Sequence, residues 1–352
     1  MVEGLTIILQ YYFESQSRIY RDCQQHQGAD HFTEKNMETL LTIKKAYYTI
    51  LAVIGIPVNL LAIVILSRRK CGLSTCTTRY LIAMAAADLL VVITAFILRR
   101  INSHYSPESF LNITPVCSIN FVLISASSEC SVWLTVTFSF DRFVAICCQK
   151  LKTKYCTGRI AALIQTTTCI LLCLKSIPLY LLIEHEVIID NIPWFCSLKP
   201  SYFTDPAWMA FDWFDKVLTP LIPYALILLL NALTVKYIIV TSQVRKALRN
   251  QSKGQNCSDP EMENRRKSMI LLFTISGSFI LLWLMHVIDF LYYVITGISP
   301  EYYNDSMHTF AEVAVMLLSL NCCTNAFIYM VTQSKFSEQL KSKVKHTVTT
   351  VI

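Results

Sequence analysis

Seven stretches of this chain stay apolar for about 20 residues or more: 46–66, 80–98, 116–147, 160–182, 208–240, 268–296 and 307–331. A bilayer core about 30 Å thick is crossed by roughly 20 residues of helix rising 1.5 Å each. In hydrocarbon every backbone polar group needs an internal partner, which only helices and closed barrels provide. A barrel reads as short alternating segments, and these runs do not alternate. The expectation is an all-α membrane protein, a bundle of seven transmembrane helices. The run 307–331 is the most polar, with Glu312, Asn321 and Asn325. Composition agrees: 54% of the 352 residues are hydrophobic and 16% charged, where a soluble chain is roughly a quarter charged.

The loops set the orientation. Arg68, Arg69, Lys70 and Arg79 follow the first run, and Lys150, Lys152, Lys154 and Arg159 the third. Arg245, Lys246, Arg249, Lys253, Arg265, Arg266 and Lys267 follow the fifth. The opposite loops hold Glu108, Glu184, Glu186, Asp190, Asp205, Glu301 and Asp305. Basic loops mark the cytoplasmic face, so the amino end is outside and the carboxyl end inside. Residues 1–43 form an extracellular segment, expected to be loosely ordered, and 44–332 the bundle. No 7–15-residue apolar core with a small-residue cleavage site precedes the first run, so no cleaved signal peptide is expected. The net charge of +7 is mostly this topology signal, not a nucleic-acid surface.

Three cysteines fall outside, Cys23, Cys117 and Cys196, and an oxidising exterior favours a disulfide there. Cys71, Cys76, Cys147, Cys148, Cys156 and Cys257 face a reducing compartment. Asn112-Ile-Thr and Asn304-Asp-Ser are outside glycosylation sequons, the first weakened by Pro115; Asn256-Cys-Ser faces the cytoplasm and is expected to be inert. Within the third run, Asp141 and Arg142 stand side by side. Arg142 lies about 37 Å of helix beyond Cys117, which puts it at the inner face, where a guanidinium meets water. A bland topology anchor and a releasable switch both fit.

Polar groups inside spans are functional candidates, because lipid gives them no partners. An outer set comprises Arg99 and Arg100 ending the second run, with Glu129, Lys175, Asp215 and Lys216. On the sixth and seventh runs it continues with His286, Asp289, Tyr293, Glu312 and Met316. A pocket with aromatic walls and both signs of charge suits a zwitterion or short peptide; internal pairing, such as Lys175 with Asp215, is the alternative. Asp88, Asn59, Ser131, Asn321 and Asn325 form a deeper polar set.

Asp141-Arg142-Phe143 resembles the Asp-Arg-Tyr motif of rhodopsin-family (class A) G-protein-coupled receptors, and the likeness covers nearly all of residues 44–340. Gly55-Ile-Pro-Val-Asn59 and Ala83-Met-Ala-Ala-Ala-Asp88-Leu are similar to the first- and second-helix signatures. Pro223 stands at the fifth-helix proline, and Phe279 with Trp283 at the sixth-helix aromatic pair. Asn325-Ala-Phe-Ile-Tyr329 resembles Asn-Pro-x-x-Tyr. Phe336 then opens a short cytoplasmic amphipathic helix, with the tail, over 333–352. "CGLSTCTTRYLIAMAAADLLVVIT", "DRFVAICCQKLKTKYCT" and "DPEMENRRKS" resemble the orphan group called probable G-protein coupled receptor 139, whose better-known members respond to tryptophan and phenylalanine.

The resemblance implies a Cys117–Cys196 disulfide, leaving Cys23 over. It implies a coupling switch at Asp141, Arg142, Phe143, Asn325 and Tyr329, and an activation core at Pro223, Phe279 and Trp283. It implies an allosteric sodium ion at Asp88, Ser131, Asn321 and Asn325, with no other cofactor. The carboxylate, hydroxyl and amide oxygens are hard ligands suited to that cation; a hydrogen-bonded core without an ion is the alternative. The partners implied are an extracellular ligand, the lipid bilayer and a heterotrimeric G protein of Gq/11 type, at the plasma membrane. Ile124 and Ser319 replace the amine-receptor aspartate and the retinal lysine, which argues against both ligands. Met285 and Ala326 replace the sixth- and seventh-helix prolines, and Asn231 a fifth-helix tyrosine. Arg265 and Arg266 replace an acid, so an ionic lock from Arg142 to the sixth helix is not expected.

Other classes fare worse. His26, His31, His104, His185, His286, His308 and His346 are scattered, without an intramembrane hydrolase cluster, so an enzyme is not expected. No internal repeat of the transporter kind is present. An odorant-type or other chemosensory receptor shares "DRFVAIC" but lacks its further signatures here.

Overall fold

The computed structural model describes residues 31–68, 73–106, 108–251, 260–298 and 303–332. Among them, seven helices are long and apolar enough to cross a membrane: Thr39–Ser67, Thr75–Tyr105, Thr114–Cys147, Gly158–Leu182, Pro206–Val244, Arg266–Thr296 and Asp305–Tyr329. They are the first to seventh helices below. Cys23, Phe336 and the amphipathic helix expected at 333–352 lie outside the described residues. The first helix already begins at His31, inside the segment expected to be loosely ordered.

Local chemistry sets the helix ends. The Ser74 side chain caps the second helix at the Thr77 N–H, and Thr157 caps the fourth at Ile160. Asp205 caps the fifth at Ala207, with Pro206 in the first turn, where its missing N–H costs nothing. Gly297, at φ +67°, closes the sixth, a conformation that glycine adopts without a Cβ clash.

Two helices are irregular. The second changes to π-helical winding over Val92–Ile101 and ends at Tyr105. Arg99 and Arg100 therefore do not end it, as the sequence suggested; they sit inside it and are buried. The fifth is π-wound over Val217–Leu221, with Thr219 outside helical space at φ −146°, ψ 70°. Two prolines account for this. Pro220 pushes its predecessor out of the α region, and Pro223 crowds the carbonyl four residues before it, which is again that of Thr219. The sixth and seventh helices contain no interior proline and run as unbroken α-helices over Pro260–Thr296 and Asp305–Thr332.

The third helix is the axis of the bundle: 78% of its apolar window is buried, against 22% for the fourth. Leu163, Ile170, Leu171 and Leu174 of the fourth are exposed, as suits a lipid-facing rod. Three apolar clusters stack along the third helix. The inner contains Leu81, Met84, Phe138, Ile275 and Tyr329; the middle Val132, Ile227, Phe279 and Trp283; the outer Tyr48, Phe96, Phe121 and Ile124. Gly55 permits close approach of the first helix. A Cβ there would meet Val92 and Cys323 at 3.0 Å.

Outside the membrane, the loop between the fourth and fifth helices forms two antiparallel ribbons. β1 (Ile183–Glu184) pairs with β4 (Ser197–Leu198), and β2 (Val187–Ile189) with β3 (Ile192–Trp194). The Cys117–Cys196 disulfide ties this loop to the outer end of the third helix.

Candidate functional site

At the inner end, Asp141 and Arg142 form an ion pair. Arg142 Nε lies 3.0 Å from Asp141 Oδ2, and Nη1 donates to Ser268 Oγ of the sixth helix at 3.2 Å. The Cys76 thiol donates to Asp141 Oδ1 at 3.0 Å. Arg142 is not open to cytosolic water, as the helix rise suggested; it is 6% exposed and Asp141 0%. The second and sixth helices cover them, and mutual pairing offsets the desolvation. The bond to the sixth helix is to a neutral serine. Phe143 is half-buried beside Phe140. Just beyond the membrane, burial and then the Asp141 carboxylate push the Cys156 thiol up to about 12.

In the middle, Ser131 donates to Asp88 Oδ1 at 2.5 Å and Asn325 Nδ2 to Oδ2 at 2.9 Å. Asn59 Nδ2 donates to the carbonyls of Gly55 and Cys322, each at 2.9 Å. Asn321 is buried, with no partner at its Oδ1 among the described residues. It lines a cavity of about 30 Å³ with Ser128, Ser131, Trp283 and Arg100, room for a water or two. Trp283 stacks on Phe279 at 4.8 Å and meets the His286 edge at 5.9 Å. Tyr329 is fully buried in the inner cluster. Asn325 thus faces Asp88, joining the seventh helix to the second.

The outer half is dense in charge. Lys175 bonds both Asp215 and Glu129, the latter at 2.6 Å. Ser125 donates to Glu129 at 3.0 Å and reaches Ser176 at 3.1 Å. The internal pairing weighed for Lys175 and Asp215 is therefore present, with Glu129 as its third member. Lys216 bonds Asp212 at 2.8 Å and lies 4.3 Å from the Tyr293 ring centroid. Tyr202 donates to Asp212. Across the bundle, Lys44 bonds Glu312 at 2.7 Å, and Arg100 lies over the Tyr48 ring at 4.1 Å. His286 is buried, and Asp289 half-buried one turn outward. The sequons separate: Asn304 is exposed, whereas Asn112 is 7% exposed and accepts a bond from Asn102, which does not suit a glycan-bearing side chain.

Sequence reasoning missed Ser268, Cys76, Lys44, Asp212 and Ser125 as partners. Asp212 and Lys216 carried a signal, an i,i+4 acid–base pair. Cys76 and Ser268 carried none, because their role arises only from helix packing.

A family model described as "7 transmembrane receptor (rhodopsin family)" matches residues 58–329. "Probable G-protein coupled receptor 142" of Mus musculus is 23% identical over 309 residues, 85% of this chain and 72% of that protein. "G-protein coupled receptor 39" of Bos taurus is 26% identical over 136 residues, 38% of this chain and 30% of that one. The "FMRFamide receptor" of Drosophila melanogaster is 24% identical over 301 residues, 82% and 51% respectively. With the seven spans and the matched motifs in place, the chain belongs to the rhodopsin family of seven-transmembrane receptors, multi-pass proteins of the plasma membrane and not enzymes.

Proposed function

We propose that this receptor admits a small extracellular ligand carrying both charges, amino-acid-like or a short peptide, into the outer half of the bundle. The occupied receptor then activates a heterotrimeric G protein, of Gq/11 type by resemblance. The observation that carries this reading is the separation of charge. Near the first, second and seventh helices, Lys44, Arg99 and Arg100 outnumber Glu312. Near the third to fifth, Glu129, Asp212 and Asp215 outnumber Lys175 and Lys216. Among the described residues, Glu129 Oε2 and Asp215 Oδ2 are buried without a hydrogen-bond partner, as acceptors for an incoming ammonium. Arg100, at the cavity beside Phe96 and Trp283, is the matching site for a carboxylate. The name of the FMRFamide receptor supports a short peptide, one without a terminal carboxylate in that case, and the likeness to an orphan group responding to aromatic amino acids supports a zwitterion.

A ligand shifts the resting equilibrium only through its preference for the open state. In that state Arg142 leaves Ser268 and Asp141 and presents its donors to the G protein. A sodium ion fits the deeper set: the Asp88 carboxylate, the Ser131 hydroxyl and the Asn321 Oδ1, beside the small cavity, are hard oxygen donors. It would supply positive charge against Asp88.

The test is expression in cells with G-protein activation readouts against amino-acid and peptide panels. Arg142→Ala is expected to abolish the ligand response at normal surface expression. Glu129→Gln and His286→Ala are each expected to shift potency about tenfold, roughly 1.4 kcal/mol; unchanged potency in both overturns the pocket. Thermal shifts in sodium against potassium, lost in Asp88→Asn, test the ion.

A further inference from the structure

We propose that Cys173 and Cys130 form a redox site within the bilayer, where a hydroperoxide on a lipid acyl chain oxidises Cys173 and Cys130 then closes a disulfide between the fourth and third helices.

Among the described residues, three thiols meet at the seam of these two helices. Cys130 of the third is 7% exposed and belongs to the inner apolar cluster with Leu172, and Cys169 packs against that cluster. The Cys130 thiol hydrogen-bonds those of Cys169 and Cys173 on the fourth helix. The register explains this. Ser125 reaches Ser176 at 3.1 Å across the seam, and the two helices run antiparallel. Five residues inward from that pair on each side, Cys130 stands level with Leu171, midway between Cys169 and Cys173. Those two are one turn apart and share a face. Serines on both sides let the helices approach closely. Sulfurs already within hydrogen-bond reach need a side-chain rotation, not a backbone movement, to bridge.

The thiols differ in access. Cys173 is exposed, Cys169 half-buried and Cys130 buried. Cys173 lies among Ile170, Leu174 and Ile177, all exposed, on the face turned to lipid. Cys130 lies about 20 Å of helix below Cys117, so the site is among acyl chains. Charged reductants stay out of that layer, whereas a lipid hydroperoxide dissolves in it and carries a weak O–O bond. A buried structural thiol is inert; an accessible one beside a resolving partner is the arrangement of a redox-sensitive pair. Cys173 is therefore the attacking thiol and Cys130 the resolving one.

In the first step the Cys173 sulfur attacks the terminal oxygen of the hydroperoxide. The O–O bond breaks, Cys173 keeps the OH as a sulfenic acid, and the lipid leaves as an alcohol with the thiol proton. In the second, the Cys130 sulfur attacks that of Cys173. The S–S bond forms, the S–O bond breaks, and the OH leaves with the Cys130 proton as water. Two thiols are oxidised and one hydroperoxide is reduced. The link fixes the seam that carries the Glu129–Lys175 bond, since Glu129 adjoins Cys130 and Lys175 follows Cys173 by two residues. The site makes no assumption about the receptor's ligand.

The test adds linoleic acid hydroperoxide to the full chain in nanodiscs of saturated phosphatidylcholine, against hydrogen peroxide at equal dose. Peptide mapping of the parent is expected to show a Cys130–Cys173 link that forms at least about tenfold faster with the lipid hydroperoxide. In Cys130→Ser the link is lost, and dimedone is expected to trap a sulfenic acid at Cys173. In Cys173→Ser, Cys130 is expected to stay reduced. Mapping of the parent decides alone where a variant folds poorly. No link in the parent, a link from Cys130 to Cys169 instead, equal rates with both oxidants, or oxidation of Cys130 in Cys173→Ser each overturns the proposal.

Discussion

Substituting Ser268 by alanine tests the switch at its most exposed point. Arg142 Nη1 donates to Ser268 Oγ at 3.2 Å, while the rest of the guanidinium stays with Asp141. A hydrogen bond to a charged group contributes about 1.5–3 kcal/mol. The length of this one, and the pairing that Arg142 keeps, put it at the lower end, about 1.5 kcal/mol. Ser268→Ala removes that amount from the closed state and nothing from an open state in which the sixth helix has moved away. The closed-to-open ratio then falls about tenfold, so an open fraction of roughly 1% rises to roughly 10%. The assay is ligand-free nucleotide exchange on a co-expressed G protein, normalised to surface receptor. Distances between spin labels at the inner ends of the third and sixth helices give a readout independent of the G-protein subtype. Ser268→Thr, which keeps the hydroxyl, is expected to match the parent. Basal exchange and label distances that stay at parental values in Ser268→Ala would refute the latch, as would a fall in basal activity.

Removing Lys175 leaves Glu129 and Asp215 buried without their shared cation, so Lys175→Met is expected to destabilise the receptor by about 3–5 kcal/mol. Adding Glu129→Gln and Asp215→Asn to it should recover most of the loss in thermal unfolding of the purified protein; a single variant as stable as the parent contradicts the triad. The Cys156 thiol, pushed up to about 12, is expected to react with maleimide at pH 7.4 at least a hundredfold more slowly than an ordinary accessible cysteine. Its rate should rise about tenfold per pH unit up to pH 10, because the thiolate is the nucleophile. Peptide-resolved labelling reads this, and ordinary reactivity at neutral pH would show that the thiol is not buried beside Asp141.

Much of the architecture was legible because membrane insertion leaves few options. Span number follows from apolar length, and the structure agrees on all seven; orientation is read from loop charge, and the order of motifs from the family resemblance. What could not be read was anything that depends on which helix faces touch. Helix rise placed Arg142 towards the inner end of the third helix, where it lies, but rise carries no information on cover, and the second and sixth helices bury it. Arg99 and Arg100 were taken as a terminus because the apolar run 80–98 stops at them. The π winding over Val92–Ile101 carries both inward instead, Arg100 onto Tyr48, a cation–ring contact that offsets part of its burial. Lys175 and Asp215 were recognisable as a pair by depth. That Glu129 completes a triad required knowing that Ser125 and Ser176 bring the third and fourth helices together.

The missing prolines gain their meaning from the same contacts. With Met285 and Ala326 in place of proline, the sixth and seventh helices keep continuous backbone ladders, and neither has a built-in point of bending. The irregular backbone lies instead in the second helix and at Thr219 of the fifth. The sixth helix is bonded to the fifth as well: Ser276 donates to Asn231 Oδ1 at 2.8 Å, and Tyr224 to the carbonyl of Ile280 at 3.5 Å. Asn231 therefore has a role in place of the tyrosine usual at that position, binding the fifth helix to the sixth in the closed state. On the proposed function, an opening at the inner face is expected to move the sixth helix as a rod, together with the inner part of the fifth, about the irregular backbone near Thr219. The barrier to that motion lies in lateral bonds such as Arg142 to Ser268 rather than in the bending of a kinked helix. That is why a single hydroxyl at the inner end of the sixth helix is expected to control resting activity.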